Sequence, residues 1–261
     1  MSADVFAKKR RNSLLLFLIV GVATIVSIII TEYNVAKGFT SVPKAVQWAL
    51  SNFYPTMDSL AKLPDILVKL KETLLISIAA TTVAAVLAFI FAVLGSNTTK
   101  VNRFFGSISR GIAILFRNID VSVWSMVLLF SFGQSSFTGY FALFFGSFGF
   151  LTRAFIETID EVSGSSVEAL QATGATYLTV ISQSVIPSTI PQMISWVLFM
   201  IETNIRNATL VGLLTGSGIG FTFNLYYKSL NYDIASLVVI TIIISILCIE
   251  FISNYVRRMI L

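Results

Sequence analysis

The chain has 261 residues, of which 56% are apolar, 13% aromatic and only 12% charged, and its net charge is +5. A soluble domain carries about 25% charged residues. Half that dose, at a mean hydropathy of +0.85, excludes a disordered chain and a lone soluble globule and leaves a polytopic membrane protein. One cysteine, Cys248, and no histidine exclude an internal disulfide, a Cys/His zinc site and a histidine-based catalytic triad.

The first predicted element follows the basic start Lys8-Lys9-Arg10-Arg11. It is an apolar run of 17 residues, Leu14–Ile30. No small-x-small cleavage site precedes Glu32, so the run reads as an uncleaved span and not as a signal peptide. Residues 31–73 form a long loop. At its end Leu63, Ile66, Leu67 and Leu70, and Leu74 just beyond, recur at helical spacing beside Lys62, Lys69 and Lys71. That pattern predicts an amphipathic helix on the outer surface, its lysines snorkelling to the headgroups.

The 27 residues between Glu72 and Lys100 carry no charge and hold the second span. A long charge-free run between Asp120 and Arg153 is broken by Gly133-Gln134-Ser135-Ser136. A third span therefore starts near Gly111 and contains Arg117 and Asp120, and a fourth covers about 137–155. A fifth covers about 190–213 and carries Glu202 and Arg206. The sixth covers about 234–256, and Gly216-Ser217-Gly218-Ile219-Gly220 breaks the chain between these two near the outer face. Each run suits about 20 residues of membrane-spanning helix, so the expected fold is all-α with about six transmembrane helices.

Basic residues orient the chain. An inside N-terminus places ten of them inside (Lys8, Lys9, Arg10, Arg11, Lys100, Arg103, Arg110, Arg153, Arg257 and Arg258) and six outside (Lys37, Lys44, Lys62, Lys69, Lys71 and Lys228). Both termini are expected to be cytoplasmic. The expected division is an N-terminal part (1–73) holding the tail, first span and outer amphipathic segment, a core (74–256) and a short cytoplasmic tail (257–261).

The inner loop 157–189 is acidic, with Glu157, Asp160, Glu161 and Glu168. Ser165-Ser166-Val167-Glu168 reads as a capping box with Ser165 as the cap. A two-turn helix follows, and Gly174 stands where a C-terminal glycine belongs. A second helix, about 175–186, is expected to end before Pro187. Two turns of helix are not stable alone. Either this helix packs on the ends of its own spans, or it is a knob that docks in a partner's groove.

Glu168-Ala169-Leu170, then Gly174, then Ile186-Pro187 resembles the EAA loop of ABC importer permeases. Leu170, where that pattern has Ala, and Ser184, where it usually has an aliphatic residue, depart from it. Arg117 to Trp124, Val162 to Gly174, and Ile201 to Thr209 followed by Gly216-Ser217-Gly218-Ile219-Gly220 resemble the phosphonate-type permeases in particular, over about residues 70–255. The resemblance implies a type I ABC importer permease fold in the cell membrane that works as a pair, as a homodimer or with a homologue. It also implies a coupling helix carrying Glu168, Ala169, Leu170, Gly174 and Pro187 that seats on a cytoplasmic ABC ATPase dimer, and cargo delivered by an external solute-binding protein. Phosphonate or a related phosphorus oxyanion is the implied cargo, and a different small solute carried by the same kind of importer is the alternative.

Four charges lie well inside predicted spans, away from the ends where Arg153 and Glu250 stand; a charge at the centre costs about 2.5–3.5 kcal/mol. Asp120 is three residues from Arg117. Glu202 and Arg206 stand at i and i+4 with the acid first, the better order for a helical pair. Either these are self-neutralising pairs that lock helices, or Arg117, Asp120, Glu202 and Arg206 line a polar path, with Asn204 as a neutral donor. A proton-driven carrier with Glu202 as relay is a rival reading; its discriminator is the energy source. An intramembrane enzyme lacks a nucleophile–base pair within a span. Gly95-Ser96-Asn97-Thr98-Thr99-Lys100 lacks the second glycine of a phosphate-binding loop, so an ATP site is expected in a partner. No cofactor, metal or nucleic acid is expected.

Overall fold

The computed structural model describes residues 2–99, 101–162 and 164–260. Lys100, counted above among the inner basic residues, lies outside them, as does the side chain of Lys8. The chain divides into two units, Met1–Tyr54 and Pro55–Leu261.

The first unit holds α1 (Ser2–Ile30) and α2 (Val35–Asn52). In α1 the segment Lys9–Ile30 is long and apolar enough to cross a membrane. Asn34 starts α2, its side-chain oxygen accepting from the Lys37 amide at 2.9 Å. Phe39, Val42 and Val46, at helical spacing, and Trp48 are exposed on α2. The separate helix of the long loop is therefore this one, and not the segment around Lys62–Leu74. That segment is the start of α3 (Leu63–Gly95), one unbroken helix of 33 residues. Pro64 sits in its first turn, where a missing N–H costs nothing, and no glycine or proline follows until Gly95. Ile66 is fully buried with Ile219, Leu237 and Val238, so this turn packs into the protein.

In the second unit α3 lies against α6 (Ser136–Val162). Thr73, Ser77, Ala80, Thr81, Ala84, Ala88 and Ala92 are the buried face of α3. Small side chains at that spacing let helix backbones approach closely in a membrane. The expected third span is broken. It consists of α4 (Arg103–Asn118) and α5 (Val121–Phe132), bent by 91°. Ile119 and Asp120 are extended, and Asp120 caps α5 by accepting from the Ser122 amide at 2.8 Å. A local cap competes with the helix for that backbone, which a hydropathy count cannot register.

Three further differences follow in chain order. Helix α7 (Gly164–Ala172) begins at Gly164, so Ser165 lies inside the first turn and is not the cap. Next, the second helix of the loop does not stop before Pro187: it begins as α8 (Tyr177–Val180). It passes through a π-turn, Ile181–Val185, straight into α9 (Ile186–Thr215). Proline in a regular helix clashes with the carbonyl four residues back; one wider turn just ahead of Pro187 relieves this. Finally α9 stops at Gly216 (φ +70°), and Gly218 (φ +62°) turns the chain into α10 (Gly218–Lys228). A side chain on Gly220 would run into the Thr209 carbonyl, so the glycines let α10 fold back onto α9. The last helix, α11 (Tyr232–Ile260), continues through residues 257–260.

Side-chain ties along α6 give a common ruler. Ser96 Oγ donates to Asp160 at 2.5 Å, and Asn204 bonds both Thr81 and Ser147. Trp196 donates to Thr158, and Gly139 faces Thr215. Hence α3 and α6 run parallel, and α9 runs antiparallel to both.

Candidate functional site

Two regions carry the sequence-predicted residues. The first is α7. Val167, 1% exposed, packs with Val180, Val185 and Ile159, and Leu170 is half-buried against the same cluster. Ser184 Oγ donates to Ser166 Oγ at 2.8 Å. Glu168, Ala169 and Gly174 are exposed, and so is Pro187 on α9. The helix thus has an apolar face held by its own chain and an exposed face carrying Glu168 and Ala169. Gly174 has φ +80°, and its N–H donates to the Gln171 carbonyl at 3.0 Å. A Cβ there would meet nothing within 4 Å, so what requires glycine is the left-handed backbone and not space.

A polar brace adjoins this region. Asp160 accepts from Ser96 Oγ, the Thr98 amide (3.2 Å) and Asn97 Nδ2 (3.3 Å). Arg110 donates to the Gly95 carbonyl at 2.7 Å and to Asn97 Oδ1 at 2.6 Å, and Arg153 pairs with Glu157. These groups line a cleft of about 200 Å³ at the α3–α4 turn. Sequence reasoning counted Asp160 only as part of an acidic loop. Its signal was that acidity itself, set against a basic α3–α4 turn.

The second region is a layer halfway along α6, at Gly149. A Cβ on Gly149 would lie 2.7 Å from the Phe116 carbonyl carbon and would also meet the Arg117 backbone. This close approach seats the end of α4 at that level. Glu202 lies half a turn from Asn204, which meets α6 at Ser147, so it shares the layer. From here to Asp160 is about 16 Å of helix.

Within the layer the predicted residues separate. Arg206 Nη2 donates to Glu202 Oε1 at 2.9 Å, with side chains 49% and 11% exposed. The pair expected from spacing is thus formed, with its base open and its acid nearly enclosed. Asn204 does not join it. It is fully buried, its Nδ2 donating to Thr81 Oγ1 at 2.8 Å and Ser147 Oγ at 2.5 Å, so it ties α3, α6 and α9 together. Arg117 and Asp120 are exposed, yet no ion pair joins them among the described residues. The bend at Ile119 separates them, and Asp120 is spent on its cap. One residue enters that sequence reasoning placed in the cytoplasm: Arg257 Nη2 lies 3.7 Å from Glu202 Oε2, with its side chain 25% exposed.

A charged layer within a bundle of long apolar helices, and an exposed helix on a loop between two of them, suit a membrane transport subunit. The family of binding-protein-dependent transport system inner membrane components matches residues 84–260. The chain belongs to this family and is a permease subunit of an ABC importer. It is 28% identical over 220 residues to HtxC of Stutzerimonas stutzeri, a permease relative named for phosphite transport, covering 84% of this chain and 77% of that one. It is 25% identical to the phosphite transport system permease protein PtxC of the same organism, covering 72% and 68%. To the phosphate-import permease protein PhnE of Mycolicibacterium smegmatis it is 23% identical, covering 78% of this chain and 38% of that one. In fold it is similar to the MetNI methionine ABC transporter in an inward-facing conformation. The TM-score there is 0.67 at 15% identity, over 79% of this chain and 99% of that one. An ATP-driven family answers the energy-source question against the proton-driven rival.

Proposed function

We propose that this permease passes a small phosphorus oxyanion, phosphonate or phosphite, through the membrane by alternating access. An external binding protein hands over the cargo. A cytoplasmic ABC ATPase dimer seats on α7 through Glu168, Ala169 and Leu170, with Gly174 and Pro187 shaping the turns on either side. Closure of the ATPase dimer moves α7, and α8 runs unbroken from that loop into α9, the helix that carries Glu202 and Arg206. A second permease copy, identical or homologous, completes the path. Both termini face the cytoplasm, and the working core runs from α3 through α11.

The observation that carries the cargo class is the Arg206 guanidinium, half exposed at mid-height. A charge left open there is costly unless it faces the bundle interior or a wet cavity, and its planar fork matches two oxygens of a phosphorus oxyanion. Arg117 and Asp120 add polar groups at the same level from the α4–α5 bend. The relatives' names support the same chemistry.

The test is uptake of radiolabelled phosphonate, phosphite and phosphate by vesicles holding the full complex. Arg206→Ala is expected to cut uptake at least about tenfold, or about 1.4 kcal/mol, while the ATPase still co-purifies. Undiminished uptake would sink the role of Arg206, and uptake of none of the three anions would sink the cargo class. Glu168→Lys is expected to leave insertion intact and to separate ATP hydrolysis from uptake.

A further inference from the structure

Glu202 is one acid between two guanidiniums. Arg206 lies 2.9 Å from its Oε1 and Arg257 lies 3.7 Å from its Oε2. No other carboxylate comes within ion-pair range of either arginine among the described residues. The three groups therefore sum to one positive charge. Two of the three are held inside the protein: Glu202 is 11% and Arg257 25% exposed. Arg257 Nε and Nη2 are both buried and lack a hydrogen-bond partner, a cost that is larger for a charged group than for a neutral one. Arg206 is the member that opens outward. An excess positive charge at this level is tolerated where it faces a wet cavity, and there it attracts an anion.

We infer that Arg257 is a positioning residue for transport: by holding Glu202 from α11 it keeps Arg206 from being neutralised, so that the set presents one unspent positive charge to an anionic cargo. When Arg206 turns to the cargo, the Glu202 carboxylate stays compensated by Arg257. When the cargo leaves, Glu202 takes Arg206 back. Capture and release then differ by the exchange of one acid between two bases, which keeps binding from becoming a trap. This rests on the reading of Arg206 as a cargo-facing group, and it adds a requirement that reading lacks, namely a conserved sum of charge.

The experiment uses the full complex in vesicles, saturating binding protein loaded with radiolabelled phosphite, and paired measurement of uptake and ATP hydrolysis. Arg257→Gln brings the sum to zero and is expected to lower uptake about tenfold while stimulated ATP hydrolysis per complex stays within about twofold of the unmodified protein. Adding Glu202→Gln to Arg257→Gln restores the sum of one and is expected to recover uptake to within about threefold. A purely structural brace predicts the opposite, because the second change removes another partner. Arg257→Lys keeps the charge; it is expected to retain most of the uptake and serves where Arg257→Gln fails to assemble. Unchanged uptake in Arg257→Gln, a double variant as poor as or poorer than the single one, or a tenfold loss in Arg257→Lys overturns the inference. Arg206→Gln separates the two ideas. If it leaves uptake intact, the cargo-facing reading fails; if it lowers uptake and Arg257→Gln does not, only the role of Arg257 fails.

Discussion

Asn204 and Arg206 stand two residues apart on α9 and have opposite surroundings. Asn204 is fully buried and bonds to α3 and α6; Arg206 is half open and shares an acid with α11. Two residues are about 200° of helix rotation, so one helix turns a brace to one side and a charge to the other. A polar residue in a span is therefore not evidence of a path until its face is known. Glu202, one turn before Arg206, shares its side but is nearly enclosed, and it mediates between the open group and the packed interior.

The comparison breaks most visibly at Glu202. Glu202→Ala leaves two guanidiniums without their acid, and removing one partner of an enclosed pair costs about 3–5 kcal/mol. The expected result is a clear loss of assembled complex and a lower melting temperature in detergent, well beyond what Arg206→Ala causes. Gly149→Val tests the layer from another helix. Its side chain meets the Phe116–Arg117 backbone, and overpacking of this kind costs about 1–3 kcal/mol; thermal melting of the purified complex checks it. The smallest effect belongs to the brace. Asn204→Leu loses two inter-helix hydrogen bonds, worth about 0.6 kcal/mol each in a membrane protein. It is expected to lower the melting temperature slightly and to leave uptake per folded complex unchanged. If Asn204→Leu abolishes uptake as Arg206→Ala does, the two faces of α9 are not functionally distinct.

Local patterns were readable in the sequence. Charge-free runs located the spans because insertion energy is summed over consecutive residues. Glu202 and Arg206 were readable as a pair because one turn separates them. Gly174 was readable because a helix end favours a left-handed residue, and it adopts φ +80°. What escaped depends on distance or on competing local geometry. Arg257 is 55 positions from Glu202 and meets it only once α11 has packed on α9. Asn204 looked like a donor for cargo because composition does not reveal which way a side chain turns. Asp120 looked like the partner of Arg117, yet its carboxylate is taken by the Ser122 amide where the backbone is extended. The stretch after Lys62 was assigned to the surface from its lysines, whereas the aliphatic face it carries meets Leu237 and Val238, a partner more than 170 positions away.

The π-turn at Ile181–Val185 ties the length of the chain to the direction in which its charges point. Each residue inserted or removed there swings everything downstream by about 100°. The Glu202 carboxylate would turn away from Arg257, and Asn204 away from Ser147. The five positions of that wide turn thus act as a phase setting between the exposed loop helix α7 and the helix face that carries Glu202 and Arg206. Relatives with the same layout should differ in length almost anywhere sooner than within them.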